Sequence, residues 1–175
     1  MAISAFVGTS LDGFIARKDG SFDFLPADGG GESGGFKEFF ASVDALVMGR
    51  NTFEAVGKMA EWPYGEKHLV VLSHRPLDLS NAPVGKAEQM AGEPAEIAKR
   101  LAARGLHRLY VDGGLTIQAF LRAGLLDRIT VTTVPVLVGQ GIPLFGPLAK
   151  DVKLRLVSTK PIAYGMVQSL YEVVR

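Results

Sequence analysis

The stretch Val47-Met48-Gly49-Arg50-Asn51-Thr52-Phe53 decides how this chain is read. The apolar run Ala45 to Met48 has the composition of a buried strand, and it leads straight into glycine, arginine and a polar pair. Glycine lets a ligand approach the backbone closely. Arginine presents a fixed fork of donors that suits phosphate. The Thr52 hydroxyl and the free N–H groups of a helix start add to the same donor set. A second stretch, Tyr110-Val111-Asp112-Gly113-Gly114-Leu115-Thr116, has the same construction. There a strand over Leu109 to Val111 meets two glycines and a helix over Leu115 to Ala123, which Gly124 stops. The paired glycines have two readings, a structural turn or a seat for a pyrophosphate on the helix N-terminus. Neither stretch is G-x-G-x-x-G or a P-loop.

Outward from these motifs, strands and helices alternate. Strands are expected at Ile3 to Val7, His68 to Leu72 and Arg128 to Val134, and helices at Phe36 to Val43 and Pro94 to Ala103. One helical turn or two is expected from Thr52 to Val56. Gly8 to Gly35 and Leu137 to Gly146 read as loops, and Ser73 to Gly92 holds at most one short strand. Lys153 to Lys160 and Met166 to Val174 alternate around a turn at Ala163 to Gly165, which predicts a closing hairpin. This order predicts an α/β fold: a mixed, mainly parallel sheet with helices on both faces and a C-terminal antiparallel hairpin, residues 1–175 forming one domain.

Composition narrows the function. The chain has 175 residues, 47% hydrophobic and 21% charged, with 19 basic and 18 acidic residues and a formal charge of +1. No strong field points to nucleic acid or a membrane surface. There is no cysteine, so disulfides and thiolate chemistry are excluded. The N-terminus reads as a strand rather than a signal peptide, and a cytoplasmic protein without a membrane span is the expectation. The three histidines, His68, His74 and His107, are too scattered for a metal site. A shortage of acid–base groups beside phosphate-suited turns fits a reductase, in which the cofactor carries the hydride.

In an open α/β sheet, ligands sit beyond the carboxyl ends of the strands. Ser73, His74 and Arg75 follow a strand there, so Arg50 and Arg75 are expected to hold phosphate at two points. Asp12, in Thr9-Ser10-Leu11-Asp12-Gly13, is either a turn residue or a carboxylate facing the crevice. Asp112 is either a cap of the glycine turn or a carboxylate kept ionised near the helix N-terminus, a hydrogen-bond acceptor rather than an acid. The segment Ser21 to Gly35 is a candidate lid, with Phe24 closing on a substrate and the glycines as hinges. Trp62, Pro63 and Tyr64 form an aromatic loop that either rims the substrate mouth or packs.

Val47-Met48-Gly49-Arg50-Asn51-Thr52-Phe53-Glu54-Ala55-Val56 resembles the strand–turn–helix segment of dihydrofolate reductases, and Leu69 to Pro76 resembles their next strand and its serine turn. Tyr110 to Leu121 resembles their glycine-rich helix start, and Asp127 to Phe145 the following strand and loop. The opening Thr9 to Ala16 and the form Val-Asp-Gly-Gly are more similar to the reductase domain at the C-terminal end of bifunctional riboflavin-biosynthesis proteins. The resemblance implies a three-layer fold of that superfamily and NADPH-dependent reduction of a small heterocycle or carbonyl compound, pyrimidine- or pterin-related. It implies adenosine-side phosphates at Gly49, Arg50 and Thr52, and the adenine ribose along Leu72, Ser73 and His74 with Arg75 near the 2′-phosphate. It places the pyrophosphate and nicotinamide side along Val111, Gly113, Gly114, Leu115 and Thr116, and the nicotinamide by Val7 and Gly8. Thr132 becomes the floor of the substrate pocket. The acidic residue of dihydrofolate reductases falls at Ser33 here, with Glu32 beside it. The first-strand lysine of the riboflavin-type reductases falls at Phe6 or a neighbour, in a strand that has no lysine, and Asp112 stands where they usually have glutamate. Asp12, Asp112 and Glu32 are the catalytic candidates, and the resemblance implies a homodimer. A nucleotide-binding module without turnover is the alternative, and a purely structural protein a second.

Overall fold

The chain runs β1 (Ala2–Ser10), β2 (Phe14–Ala16), α1 (Phe36–Ser42), β3 (Ala45–Gly49), α2 (Arg50–Val56), β4 (His68–Leu72) and β5 (Ala87–Met90). It continues with α3 (Pro94–Ala102), β6 (Arg108–Asp112), α4 (Gly114–Arg122), β7 (Arg128–Val134), β8 (Ile142–Pro143), β9 (Leu154–Pro161) and β10 (Val167–Val173). This computed structural model describes residues 1–27, 34–80, 82 and 86–175. Eight strands form one sheet in the order β5-β4-β3-β6-β1-β7-β10-β9, and β2 pairs with β8 in a small second sheet. The strands from β5 to β7 are parallel, while β10 is antiparallel to both β7 and β9. The sheet is therefore mixed and mainly parallel, and it closes on the expected antiparallel hairpin.

Sequence periodicity explains the layers. β1 alternates from Ala2 to Thr9, with Ile3, Ala5 and Val7 buried on one face and the half-buried Phe6 and Gly8 on the other. The one-face set joins Ile97, Ala98 and Leu101 of α3 and Ile117, Phe120 and Leu121 of α4 in one core. The opposite core joins Met48, Val71 and Tyr110 to Phe53 and Val56 of α2, with Phe6 and the α1 residues Phe36, Phe39 and Phe40 packed against it. Fully burying a side chain such as Ile117 or Phe120 contributes about 1.5–3 kcal/mol, so each helix is held by its apolar stripe more than by its own short ladder. β3 is buried on both faces because it lies inside a parallel sheet covered by helices on each side.

Two expectations change. Gly8 to Gly35 was expected to be loop, but β1 runs on to Ser10 and Phe14–Ala16 forms β2. Its partner β8 lies inside the expected loop Leu137 to Gly146. Strands of three and two residues carry no readable alternation. Their pairing depends instead on a close approach, since a Cβ at Gly141 would stand 2.3 Å from the Ala16 carbonyl oxygen. The second change is at α2, which starts at Arg50 rather than Thr52. In the hairpin, register shifts between Leu170 and Tyr171, and the turn at Ala163–Gly165 holds Tyr164 at a left-handed φ of 63°.

Candidate cofactor crevice and substrate face

β3 and β6 are neighbours in the sheet, with Met48 paired to Asp112. The helices that follow them leave to opposite faces, α2 into one core and α4 into the other. That divergence opens a crevice outside the carboxyl ends of the two strands, the place where open α/β sheets take ligands. Both glycine motifs line it, and they interlock. A Cβ at Gly113 would stand 2.2 Å from Thr52 Oγ1, and one at Gly49 would stand 3.2 Å from Thr116 Oγ1. The threonine of each motif thus rests against the bare Cα of the other. Gly113 also adopts φ 89° and ψ 137°, backbone that an L side chain rarely enters.

The other cofactor candidates spread along the same edge. Arg50 opens α2 and pairs through Nε with Glu54 Oε1 at 2.8 Å, which leaves its two Nη groups unpaired among the described residues. Ser73 is buried at the end of β4, where its hydroxyl donates to the Arg75 carbonyl at 2.7 Å and accepts from the Arg75 N–H at 3.2 Å. Gln89 of β5 donates to the carbonyls of Ser73 and Arg75, both at 2.9 Å, so the turn is fixed while the His74 and Arg75 side chains stand exposed. Leu72 is half-buried beside them, and Leu115 is exposed at the start of α4. Gly114 meets the Pro143 carbonyl at 3.3 Å from its Cβ position. The Val7 and Val111 side chains face the α3–α4 core, so any contact they make with a ligand in the crevice comes from their main chain.

Asp112 is both the cap and the acceptor of its two sequence readings, though burial opposes the ionised form that the second expects. Its Oδ1 accepts from the Gly113 N–H at 2.8 Å, which caps the glycine turn, and its Oδ2 accepts from the Tyr64 hydroxyl at 2.7 Å. Burial holds its carboxyl above the usual carboxylate range, against the lowering effect of those two donors. Tyr110 stands beside it and donates to the Phe6 carbonyl at 2.9 Å. Tyr64 comes from the aromatic loop. It is buried, and Trp62 packs edge-on against it and against Phe53. That loop therefore packs and reaches the end of β6. Phe6 has its ring 5.4 Å from Phe36 and 5.0 Å from Phe39.

Asp12 is arranged differently. It accepts from Ser10 Oγ at 2.6 Å, from the Val138 N–H at 3.1 Å and from the Gly139 N–H at 2.7 Å. Led by the Ser10 hydroxyl, these donors hold its carboxyl below the ordinary aspartate value. It sits in the turn Ser10 to Gly13 and ties the end of β1 to the loop after β7. Glu32 and Ser33 lie outside the described residues, as does part of the candidate lid. Of that segment, 21–27 and 34–35 are described, and 21–27 lies against the end of β1. Leu25 fills the space above Gly8, where a Cβ would meet its Cδ2 at 2.8 Å. Phe24 and Leu25 line a cavity of about 640 Å³ with Asp23, Pro26, Val134 and Tyr164. Arg17 anchors this segment through Asp23 at 2.5 Å and lies over the Phe24 ring.

Thr132 is buried on β7, paired with Gly8 on one side and Gln168 on the other. Gln168 is a residue that sequence reasoning missed. In Val167-Gln168-Ser169-Leu170 it looks like one polar position of an edge hairpin, yet it is buried and donates from Nε2 to the Gly34 carbonyl at 2.8 Å and to Thr132 Oγ1 at 3.0 Å. Tyr64 was missed as a partner of Asp112 for a similar reason, because 48 residues separate them.

Comparison with known proteins agrees with this geometry. The family model of the RibD C-terminal domain matches residues 2–168. The Bacillus subtilis (strain 168) protein YwjB is 31% identical over 169 residues, covering 96% of this chain and 95% of its own length. The crystal structure of a putative riboflavin biosynthesis protein from Shewanella sp. PV-4 superposes with a TM-score of 0.90 at 36% identity, over 100% of both chains. A dihydrofolate reductase from Enterococcus faecalis, complexed with NADP(H), superposes with a TM-score of 0.67 at 18% identity over 99% of this chain and 97% of its own, a likeness of fold alone. With the model matched from β1 into β10, the chain belongs to the RibD C-terminal domain family, on the dihydrofolate reductase-like fold.

Proposed function

We propose that this protein is an NADPH-dependent reductase that transfers a hydride to a small heterocyclic or carbonyl compound. The interlocked crevice between Gly49-Arg50 and Gly113-Gly114 carries the reading. Two glycine turns leave the backbone bare at adjacent strand ends, with a nine-residue helix starting at one of them. Arg50, His74 and Arg75 supply donors along the same edge for the phosphates of a dinucleotide. In this reading the nicotinamide lies by Gly8 and the substrate between it and Thr132, under the segment that holds Phe24 and Leu25.

The chemistry that NADPH supplies there is a hydride. The chain holds and orients the two partners and excludes water by closing Leu25 over Gly8. Asp112, with its carboxyl raised by burial at the end of β6, is the candidate to hold a proton near the reacting centre. Asp12, fully engaged with Ser10, Val138 and Gly139, serves the frame of the site instead.

The same family reading carries a homodimer. The hairpin exposes Leu154, Leu156 and Val157 on the edge strand β9 and Val167 on β10, apolar surface that a second copy would cover. No helix among the described residues is long and apolar enough to cross a membrane.

Calorimetric titration with NADPH and with NADH tests the proposal. Tight NADPH binding with weaker NADH binding is expected, followed by NADPH oxidation with an acceptor from a heterocycle and carbonyl panel. Absence of binding by either dinucleotide would overturn it, and binding without turnover would leave the nucleotide-binding module. Light scattering of the purified protein checks the dimer.

A further inference from the structure

Gln89 commits its whole amide to the turn that follows β4. It lies on β5 opposite Val71, two residues from Ala87 and so on the same face, where Ala87, Leu77 and Leu79 pack on the core beside α2. Its Nε2 donates to the Ser73 and Arg75 carbonyls, both at 2.9 Å, and its Oε1 accepts from the Leu77 N–H at 2.9 Å. Carbonyls only accept and an N–H only donates, so the amide sits one way round. Alternate residues of the turn, Ser73, Arg75 and Leu77, are thus tied to one side chain on the neighbouring strand. The Arg75 peptide is held from a second side, because the Ser73 hydroxyl donates to its carbonyl at 2.7 Å and accepts from its N–H at 3.2 Å. Pro76 restricts Arg75 further, since the residue before a proline is kept out of the helical region. Beyond this fixed backbone the Arg75 side chain is exposed, and its guanidinium has no partner among the described residues.

We propose that Gln89 is a positioning residue that sets the nucleotide preference of the crevice, by holding the turn from Ser73 to Leu77 so that the Arg75 guanidinium stands ready for a phosphate monoester on the ligand's ribose. This deepens the reductase reading and rests on its placement of the adenine ribose at this turn. With both N–H donors and its oxygen engaged by backbone, Gln89 does not touch the ligand and acts through Arg75. A guanidinium on a fixed backbone loses less freedom on closing over phosphate than one on a turn that samples several conformations. Only a ligand that carries the monoester gains from this, so the clamp separates NADPH from NADH rather than tightening both. A role limited to seating the loop on the core would weaken the two dinucleotides alike.

The test titrates NADPH and NADH calorimetrically into the wild type, Gln89→Met, Arg75→Ala and the double variant. Gln89→Met keeps the length of the side chain and removes the amide. It is expected to lower the preference for NADPH over NADH by about three- to tenfold, the scale of ordering one long side chain. In the Arg75→Ala background the same substitution should leave the remaining preference unchanged, because the two residues act as a unit. Ser73→Ala frees the Arg75 peptide from its other side, should lower the preference in the same sense, and stands in if Gln89→Met does not fold. Hydrogen exchange at the Leu77 amide reads the clamp with no ligand present and should quicken in Gln89→Met. An unchanged preference, an equal loss for both dinucleotides, additive effects of the two substitutions, or a Leu77 amide that exchanges as in the wild type would overturn the proposal. A wild type that binds both dinucleotides equally removes this inference alone, whereas one that binds neither removes the cofactor reading and this inference with it.

Discussion

Gly113→Ala probes the interlock at the centre of the crevice. Two penalties combine. The backbone at φ 89° and ψ 137° is nearly closed to an L residue and costs about 1–3 kcal/mol. The new Cβ would also stand 2.2 Å from Thr52 Oγ1 and 3.2 Å from Thr52 Cβ, an overpacking cost of about 1–3 kcal/mol as α2 shifts away. The sum, about 2–6 kcal/mol, is a large share of a typical domain's 5–15 kcal/mol. Gly49→Ala is the internal control. Its φ of −77° is ordinary and its nearest neighbour, Thr116 Oγ1, is at 3.2 Å, so a cost of about 1 kcal/mol is expected. Urea midpoints converted with a common slope measure both. Adding Thr52→Ala to Gly113→Ala removes the oxygen at 2.2 Å, so it should recover most of the steric part and none of the backbone part. A Gly113→Ala protein within about 0.5 kcal/mol of wild type, or a double variant with no recovery, would refute the interlock.

Three further outcomes are expected. Arg50→Ala should weaken NADPH binding by about 1–3 kcal/mol, the scale of a charge-assisted hydrogen bond, and change stability by less than about 0.5 kcal/mol, because its pair with Glu54 is a half-exposed i,i+4 contact. An unchanged dissociation constant in calorimetry rules out its role as a phosphate clamp. Asp44, which accepts from the His107 and Arg108 N–H groups and the Arg108 guanidinium, titrates at about 2, led by that guanidinium. A depressed carboxylate stabilises fully above its unfolded value of 3.8 and loses that contribution as pH falls through about 2. Asp44→Asn should therefore cost about 1–2 kcal/mol at neutral pH, discounted for the exposed Arg108, and the gap to wild type should shrink in acid unfolding curves. Tyr64→Phe removes a donor from Asp112, whose carboxyl burial already raises, so ionising it becomes costlier. A raised carboxyl stabilises fully below its unfolded value and loses that contribution as pH rises through the folded value. The variant should then lose about 1–3 kcal/mol at pH 7 and clearly less near pH 4; equal losses at both would refute the coupling.

Much of this molecule is legible in its sequence because the deciding signals are local. Apolar runs of five residues such as Ala45 to Gly49 and His68 to Leu72 appear as strands because burial on both faces demands them. Pro94 and Gly124 bracket helices through backbone chemistry that one residue carries by itself. The β2–β8 pair escaped because its stability comes from a contact between residues far apart, across a bare Gly141. The start of α2 escaped because glycine and arginine fit either the strand end or the first helical turn.

By itself the sequence determined which turns are bare, which residues beside them carry donors suited to an anion, and that strands and helices alternate into a mainly parallel sheet. Only the tertiary structure decided that the two glycine motifs face each other, since that depends on β6 entering between β3 and β1. It decided as well that Asp12 ties a loop while Asp112 is half-buried and accepts from Tyr64, although both precede glycine in the chain. And it turned Gln168 from a hairpin residue into a buried tie between Thr132 and the Gly34 carbonyl. Local sequence sets conformational preference within a few residues, whereas burial and hydrogen-bond partners are set by which strands become neighbours, a property of the whole sheet.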